Sequence, residues 1–184
     1  QSWSKINEMT KRKYENIFFR GINFRKNLGK SNALNEGFKY VLGKVVITMD
    51  ADLQDNPIEI PKFMDLIINK DFDLVSGWKK NRKDPISKTL PTKIFNSVTR
   101  FFSGIQLHDF NCGFKAYKIE VVKNITISGE MHRYIPLLVK RKGYTKISEI
   151  EVNHREREHG KSKFGVERFS NGFLDLLTIL FLNK

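Results

Sequence analysis

Residues 45–49 read VVITM, an apolar run broken only by one threonine, and it stops abruptly at the acidic stretch DADLQDNP, residues 50–57. A half-buried strand alternates apolar and polar side chains. A run that is apolar on both faces must be covered on both, as in a parallel strand layered between helices. That single feature points to an α/β architecture. Residues 16–24 (NIFFRGINF) read as a strand, and Ser31 is placed to cap a helix carrying Leu34, Phe38 and Val41 on one face, with Gly43 ending it. Strand, helix and strand with short links predict a right-handed crossover unit.

Further along, Pro57 suits a first helical turn, and Ile60, Phe63, Met64, Ile67 and Ile68 recur at helical spacing until Asp71. A strand is expected at 72–76, then a basic loop, GWKKNRKDP at 77–85, then a second amphipathic helix with Ile94, Phe95, Val98, Phe101 and Phe102 on its inner side. The segment LHDFNCGFKAY, 107–117, reads as a loop feeding a short strand, followed by a helix around 131–142 and a strand around 147–152. The expected fold is α/β: a mostly parallel central sheet flanked by helices, with its chemistry in the loops that follow the strands.

A chain of 184 residues has the length of one domain and can bury a core without staples. Lysine and arginine number 33 against 20 acidic residues, so the net charge of +13 favours a polyanionic partner. The single Cys112 excludes an internal disulfide and any multi-cysteine zinc site, and a buried structural thiol is its expected role. No stretch reaches the ~20 apolar residues of a membrane span. The chain starts at Gln1 and stops at Lys184, directly after the apolar run 173–182, which reads as a piece of a longer protein.

In an extended segment, residues i and i+2 point the same way, so Asp50 and Asp52 can share one hard cation and Gln54 can add an oxygen. Magnesium or manganese, which keep places for water and phosphate, suit such a loop. Acidic residues after a strand more often form turns and caps, and Asp55 is expected to be a helix cap.

The ordered motifs DADLQDNP, SGWKKNRKD, HDFNCGFKAY, GEMHRYIP and NHREREHGKSKFG together resemble the family 2 glycosyltransferases that act on polyprenyl phosphates. Dolichyl-phosphate mannose synthases and undecaprenyl-phosphate sugar transferases are of this kind. The resemblance runs from about residue 24 to 182. It implies a Rossmann-like GT-A fold, a nucleotide-diphospho-sugar donor, a polyprenyl phosphate acceptor, Mg2+ or Mn2+, and inversion at the anomeric carbon. One departure stands out. The Pro-x-Tyr-Asn-Glu and Asp-Asp-Gly-Ser type motifs that hold base and ribose in such enzymes are not present, so an N-terminally truncated GT-A domain is expected, lacking a central strand and part of the donor pocket.

On that resemblance, Asp50 lies near ribose, donor phosphate and metal, Asp52 is the direct metal ligand, and Gln54 supports the same site. A carboxylate beside the acceptor falls first to Asp109 and second to Glu130. Arg157 is the main phosphate clamp, and Arg155, Lys161, Ser162 and Lys163 gather around Gly160, whose permissive backbone lets a loop fold over phosphates. Arg82, with Lys79 and Lys80, forms a second basic loop that meets phosphate or is simply a surface turn. His108, His132, His154 and His159 show no zinc-ligand spacing and fit ordinary surface or hydrogen-bonding roles. Trp78 reads as a pocket wall or core edge.

Two regions are expected: a partial GT-A catalytic domain over 1–168, and an amphipathic juxtamembrane helix over 169–184 with Phe169, Phe173, Leu176, Leu177 and Leu180 on one face. That places the protein at the cytoplasmic face of a membrane, on the membrane surface. A soluble transferase or sugar nucleotidyltransferase is the nearer competing function. A basic nucleic-acid-binding module explains the charge but not the acidic loop, and the usual aromatic and basic RNA-binding pattern is missing, so nucleic acid is not an expected partner. A homo-oligomer is left open.

Overall fold

A computed structural model describes residues 2–80 and 86–155, together with Thr178. Among these described residues four strands form one sheet in the order β1-β3-β2-β4: β1 is Val45–Thr48, β2 Leu74–Trp78, β3 Lys115–Lys118 and β4 Ile147–Glu151. The helices are α1 (Ser2–Lys11), α2 (Gly29–Tyr40), α3 (Ile60–Ile68), α4 (Ile86–Ser103), α5 (Ile119–Asn124) and α6 (Ile135–Arg141).

Both faces of the sheet are covered, as the VVITM run requires. Alternate residues of neighbouring strands divide between two clusters. Val46, Leu74 and Tyr117 face α2, α5 and α6 with Phe38, Val121 and Val139, whereas Val75, Ala116 and Phe114 face α3 with Phe63 and Ile67. The Phe63 and Phe114 rings meet at 4.4 Å. The 3-10 turn Pro57–Glu59 starts α3, capped by the Asn56 side chain, which accepts from the Ile58 N–H. The cap expected of Asp55 is therefore made by its neighbour.

The sheet is mixed rather than mostly parallel. β1, β2 and β4 run one way, but β3 lies antiparallel between β1 and β2, leaving β2–β4 as the parallel pair. After α4 the chain crosses to the carboxyl ends of β1 and β2, so β3 enters the sheet there and runs back. At the opposite end, Lys118 Nζ pairs with Asp71 at 2.6 Å and Asp73 at 3.0 Å, while Asp73 also accepts from the Lys146 N–H at 3.0 Å.

Three further expectations are corrected. Residues 16–24 form no strand: an isolated bridge joins Tyr14 to Ile17, and Phe18 is 98 % exposed. A strand needs a neighbour for its N–H and C=O groups, and among the described residues none runs beside this segment, so the predicted crossover unit is not formed. Ser31 is not a cap but lies inside α2, buried, where its hydroxyl accepts from the His132 N–H at 3.3 Å. Finally, Ile94, Phe101 and Phe102 face outward from α4 at 54, 82 and 56 % exposure. The inward face is Phe95 with the polar Asn96, Thr99 and Ser103. Asn96 donates to the His108 carbonyl at 2.9 Å and accepts from the Phe110 N–H at 3.3 Å, and Arg100 Nε donates to the Leu107 carbonyl at 3.0 Å. The buried loop after α4 needs partners for its backbone, and the polar side of the helix supplies them.

Candidate functional site

The carboxyl ends of β1 and β2 and the start of β3 bring the acidic loop against the segment 107–114. Thr48, last in β1, donates its hydroxyl to the Gly113 carbonyl at 2.8 Å. The next residue but one, Asp50, lies directly over Gly113, where a β-carbon would meet Asp50 Oδ2 at 2.5 Å. A side chain there would displace the Asp50 carboxylate.

Asp50 is held among cations. Lys30, in the first turn of α2, places Nζ 2.6 Å from Asp50 Oδ1. Burial pushes the Asp50 carboxyl up, but the ammonium groups of Lys30, Lys79 and Lys115 outweigh it and hold the group below the usual carboxylate range. Lys79 pairs with Asp55 at 2.7 Å, with Asp55 fully buried, and Asp55 Oδ2 also accepts from the Asp50 N–H at 3.5 Å. Lys115 is buried and donates to the carbonyls of Phe110, at 3.2 Å, and Cys112. It thereby clamps the loop that ends at Gly113. Beside it the Cys112 thiol is pushed up to about 11 by burial and stays neutral, in keeping with a structural role.

The acidic loop is a turn, not an extended segment. Leu53 has φ of 63°, and Asp52 Oδ1 accepts from the Gln54 N–H at 3.3 Å. Simple i, i+2 alternation therefore does not apply to Asp50, Asp52 and Gln54. The Gln54 amide nitrogen donates to the Arg155 carbonyl at 3.1 Å and meets His154 Nε2 at 3.2 Å, and the Arg155 N–H donates to the Gln54 carbonyl at 3.0 Å. Gln54 thus ties the segment after β4 to the acidic loop and brings exposed Arg155 close to it.

Asp109 is 2 % exposed, and its Oδ1 accepts from the Asn111 N–H at 3.1 Å. Glu130 is half-buried just before the 3-10 turn Met131–Tyr134, 3.9 Å from His132 Nδ1 and 3.8 Å from Arg133. Burial, then Lys30, Arg133 and Lys115, pushes the His132 imidazole down to about 3, so it is neutral; its Nδ1 lies 3.3 Å from Ser31 Oγ. Trp78 stacks on His108 at 4.2 Å, at the edge of the same end of the sheet. Arg82, Arg157, Lys161, Ser162, Lys163 and, apart from Thr178, the segment 169–184 lie outside the described residues.

A cavity of about 30 Å³, lined by Lys30, Thr48, Asp50, Asn111, Lys115 and His132 among others, opens beneath Asp50. The Asn111 Oδ1 atom there is buried without a hydrogen-bond partner. An orphaned carbonyl oxygen and the Asp50 carboxylate, both lining this cavity, are hard oxygen donors of the kind magnesium and manganese prefer. Among the described residues no three acidic or histidine side chains gather as a complete cage, so a cation here would draw its other ligands from water and a bound phosphate. A larger pocket of about 500 Å³ lies between α2 and α5 and contains none of the expected site residues.

Sequence reasoning missed Lys30, Lys115 and His132. The one available signal for Lys30 is its position just after Gly29 at the start of a helix, which aims a long cationic side chain at the end of the next strand.

The model of glycosyl transferase family 2 matches residues 2–126. Among curated proteins, the dodecaprenyl-phosphate galacturonate synthase of Rhizobium johnstonii is 36 % identical, covering 94 % of this chain and 53 % of its own length. The undecaprenyl-phosphate 4-deoxy-4-formamido-L-arabinose transferase of Shewanella sediminis is 35 % identical over 86 % of this chain and 47 % of its own. The chain thus spans about half the length of these relatives. In three dimensions it is similar to glucosyl-3-phosphoglycerate synthase of Mycobacterium tuberculosis. The UDP complex gives a TM-score of 0.61 at 18 % identity, covering 85 % of this chain and 55 % of the other. A complex of that enzyme with Mn2+, UDP-glucose and glycerol 3-phosphate gives 0.58 at 19 %, with coverage of 85 and 55 %. The fold is that of the GT-A glycosyltransferases. Among the described residues no helix is long and apolar enough to cross a membrane.

Proposed function

The chain belongs to glycosyl transferase family 2, and from that premise we propose that it forms part of the catalytic domain of an enzyme moving a sugar from a nucleotide diphosphate to a polyprenyl phosphate. The observation that carries this reading is Asp50, a carboxylate at the end of β1 surrounded by Lys30, Lys79 and Lys115. The chain's likeness to two polyprenyl-phosphate sugar transferases supports the choice of acceptor.

Asp50 and Asp52 would hold a divalent cation, Mg2+ or Mn2+, with Asn111 Oδ1 in the cavity that Asp50 lines. When bound, the cation neutralises the diphosphate that leaves the sugar. The surrounding ammonium groups create a positive field at the carboxyl ends of β1 and β2, and this attracts the donor's phosphates whether or not each lysine touches them. The acceptor's phosphate oxygen is already anionic near neutral pH, so placing it behind the anomeric carbon matters more than removing a proton. Glu130, partly exposed beside neutral His132, is the acceptor-side carboxylate, while buried Asp109 shapes the loop that supports Asn111 and Gly113. Arg155 and, farther along the sequence, Arg157, Lys161, Ser162 and Lys163 are the phosphate-binding residues of this reading, with Arg82 a further one. The segment 169–184 lies on the cytoplasmic face of the membrane, where a lipid phosphate is presented.

The test supplies membranes containing the full-length protein with undecaprenyl phosphate and radiolabelled sugar nucleotides, with and without divalent cation. Label should pass into the lipid extract only with the cation and should fall at least tenfold in Asp50→Asn. Label appearing only on water-soluble acceptors, or undiminished in Asp50→Asn, overturns the assignment.

A further inference from the structure

Three ammonium groups surround Asp50, and they are not equivalent. Lys79 is committed to buried Asp55 at 2.7 Å, and Lys115 to the carbonyls of Phe110 and Cys112. Lys30 is bonded to Asp50 itself, at 2.6 Å, and its side chain is 38 % exposed, against 39 % for Asp50. Lys30 therefore stands on the oxygen that a cation would need, on a flexible stem that can leave it. Gly113 closes the other side of the carboxylate, since no β-carbon fits between them.

We infer that Lys30 is a relocating counter-ion, which neutralises Asp50 in the empty site and moves onto the donor's diphosphate when a divalent cation takes its place. The inference rests on the proposed cation and nucleotide-diphosphate site. Its logic is charge arithmetic. A cation alone must expel Lys30 from its carboxylate and then sit beside a displaced ammonium, with Lys79 and Lys115 adding to the repulsion. A diphosphate arriving with the cation gives Lys30 a new anionic partner at the moment it loses the old one. Cation and diphosphate binding are then positively coupled, and Lys30 carries the coupling. His132 and buried Lys115 line the same small cavity as Lys30, and the Lys115 ammonium adds like charge there.

The test is calorimetric titration of the protein with Mn2+, first alone and then with saturating methylene diphosphonate, a diphosphate mimic that needs no base pocket. In the unaltered protein the mimic should tighten Mn2+ binding roughly 5- to 150-fold, the usual span of coupling between two sites. Lys30→Met should bind Mn2+ alone roughly three- to tenfold more tightly, because its competitor is gone, and should lose most of the tightening by the mimic. These effects have opposite signs, so a variant that is merely misfolded would not produce them; Lys30→Gln should behave as Lys30→Met does. If Mn2+ binds the unaltered protein but binds Lys30→Met no more tightly, or the coupling survives in both variants, the exchange is wrong and the cation site stands. If Mn2+ binds neither the unaltered protein nor Lys30→Met, with or without the mimic, the cation site falls and the exchange with it.

Discussion

Gly113 and Asp50 are in such close register that a β-carbon on the glycine would stand 2.5 Å from one carboxylate oxygen and 2.9 Å from the other. The collision falls on the end of a short side chain, so Gly113→Ala should move Asp50 rather than unfold the sheet. We expect stability to change by about 1 kcal/mol while Mn2+ binding in the presence of a diphosphate weakens at least tenfold. Thermal melts and calorimetry on the same sample separate the two, and unchanged Mn2+ affinity would show that Asp50 is not a ligand.

The Lys79–Asp55 pair sits under the acidic loop with side-chain exposures of 11 and 0 %. Removing the lysine strands a buried carboxylate, so Lys79→Met should destabilise by roughly 3 to 5 kcal/mol. The double variant Lys79→Met with Asp55→Asn should recover a good part of that loss. Urea unfolding of the set checks it; equal losses in the single and double variants would mean that the charge is not the cause.

His132 supplies a pH dependence. Its folded-state value of about 3 lies below the ordinary 6.5, so between those limits the unfolded chain holds a proton that the native imidazole does not. Stability from this residue is fully present above about 6.5 and is lost as pH falls towards 3. The groups facing it are Lys30 and Ser31 of α2, Lys115 of β3, Asp50, Glu130 and Arg133. Urea midpoints from pH 7 to 4 should fall less steeply in His132→Asn. A slope identical to that of the unaltered protein would place the titration elsewhere.

On α4 the direction of each side chain reverses a simple hydropathy ranking. Asn96→Ala removes both hydrogen bonds to the loop at 108 and 110 and should cost about 1 to 3 kcal/mol, with faster amide exchange at Phe110. Phe101→Ser, at a position 82 % exposed, should stay within about 0.5 kcal/mol. Equilibrium unfolding of the two variants decides it, and the opposite order would mean that α4 is seated on its apolar side.

That helix also marks where the sequence is legible and where it is not. VVITM announces a strand covered on both faces because a continuous apolar run has no other stable setting, and α3 follows from the spacing of Phe63 and Ile67. The place of Asp50 is legible for a related reason: the apolar run stops there, so the carboxylate falls just past the strand's end. Asn96 and Ser103 are misleading because periodicity counts apolar residues, whereas their inward orientation is set by the backbone of a loop that comes later in the chain. Lys30 and Lys115 are hidden similarly. Their partners lie 20 residues away at Asp50 and on the carbonyls of a turn, and neither relation has a sequence period. The strand expected at 16–24 has suitable residues, but pairing is a property of two segments.

The reversed course of β3 makes the sheet a lever with unlike ends. Thr48 and Gly113 are joined at one end, and Lys118, Asp71, Asp73 and Lys146 at the other. Lengthening the turn between α3 and β2, where Asp71 already adopts φ of 58°, adds chain far from Asp50, whereas a single residue inserted between Asn111 and Gly113 would shift the whole register of β3 against β1. Variation between homologous chains should therefore accumulate as insertions at the Asp71 end, and the distance from Asn111 to Lys115 should be the most conserved length in the domain.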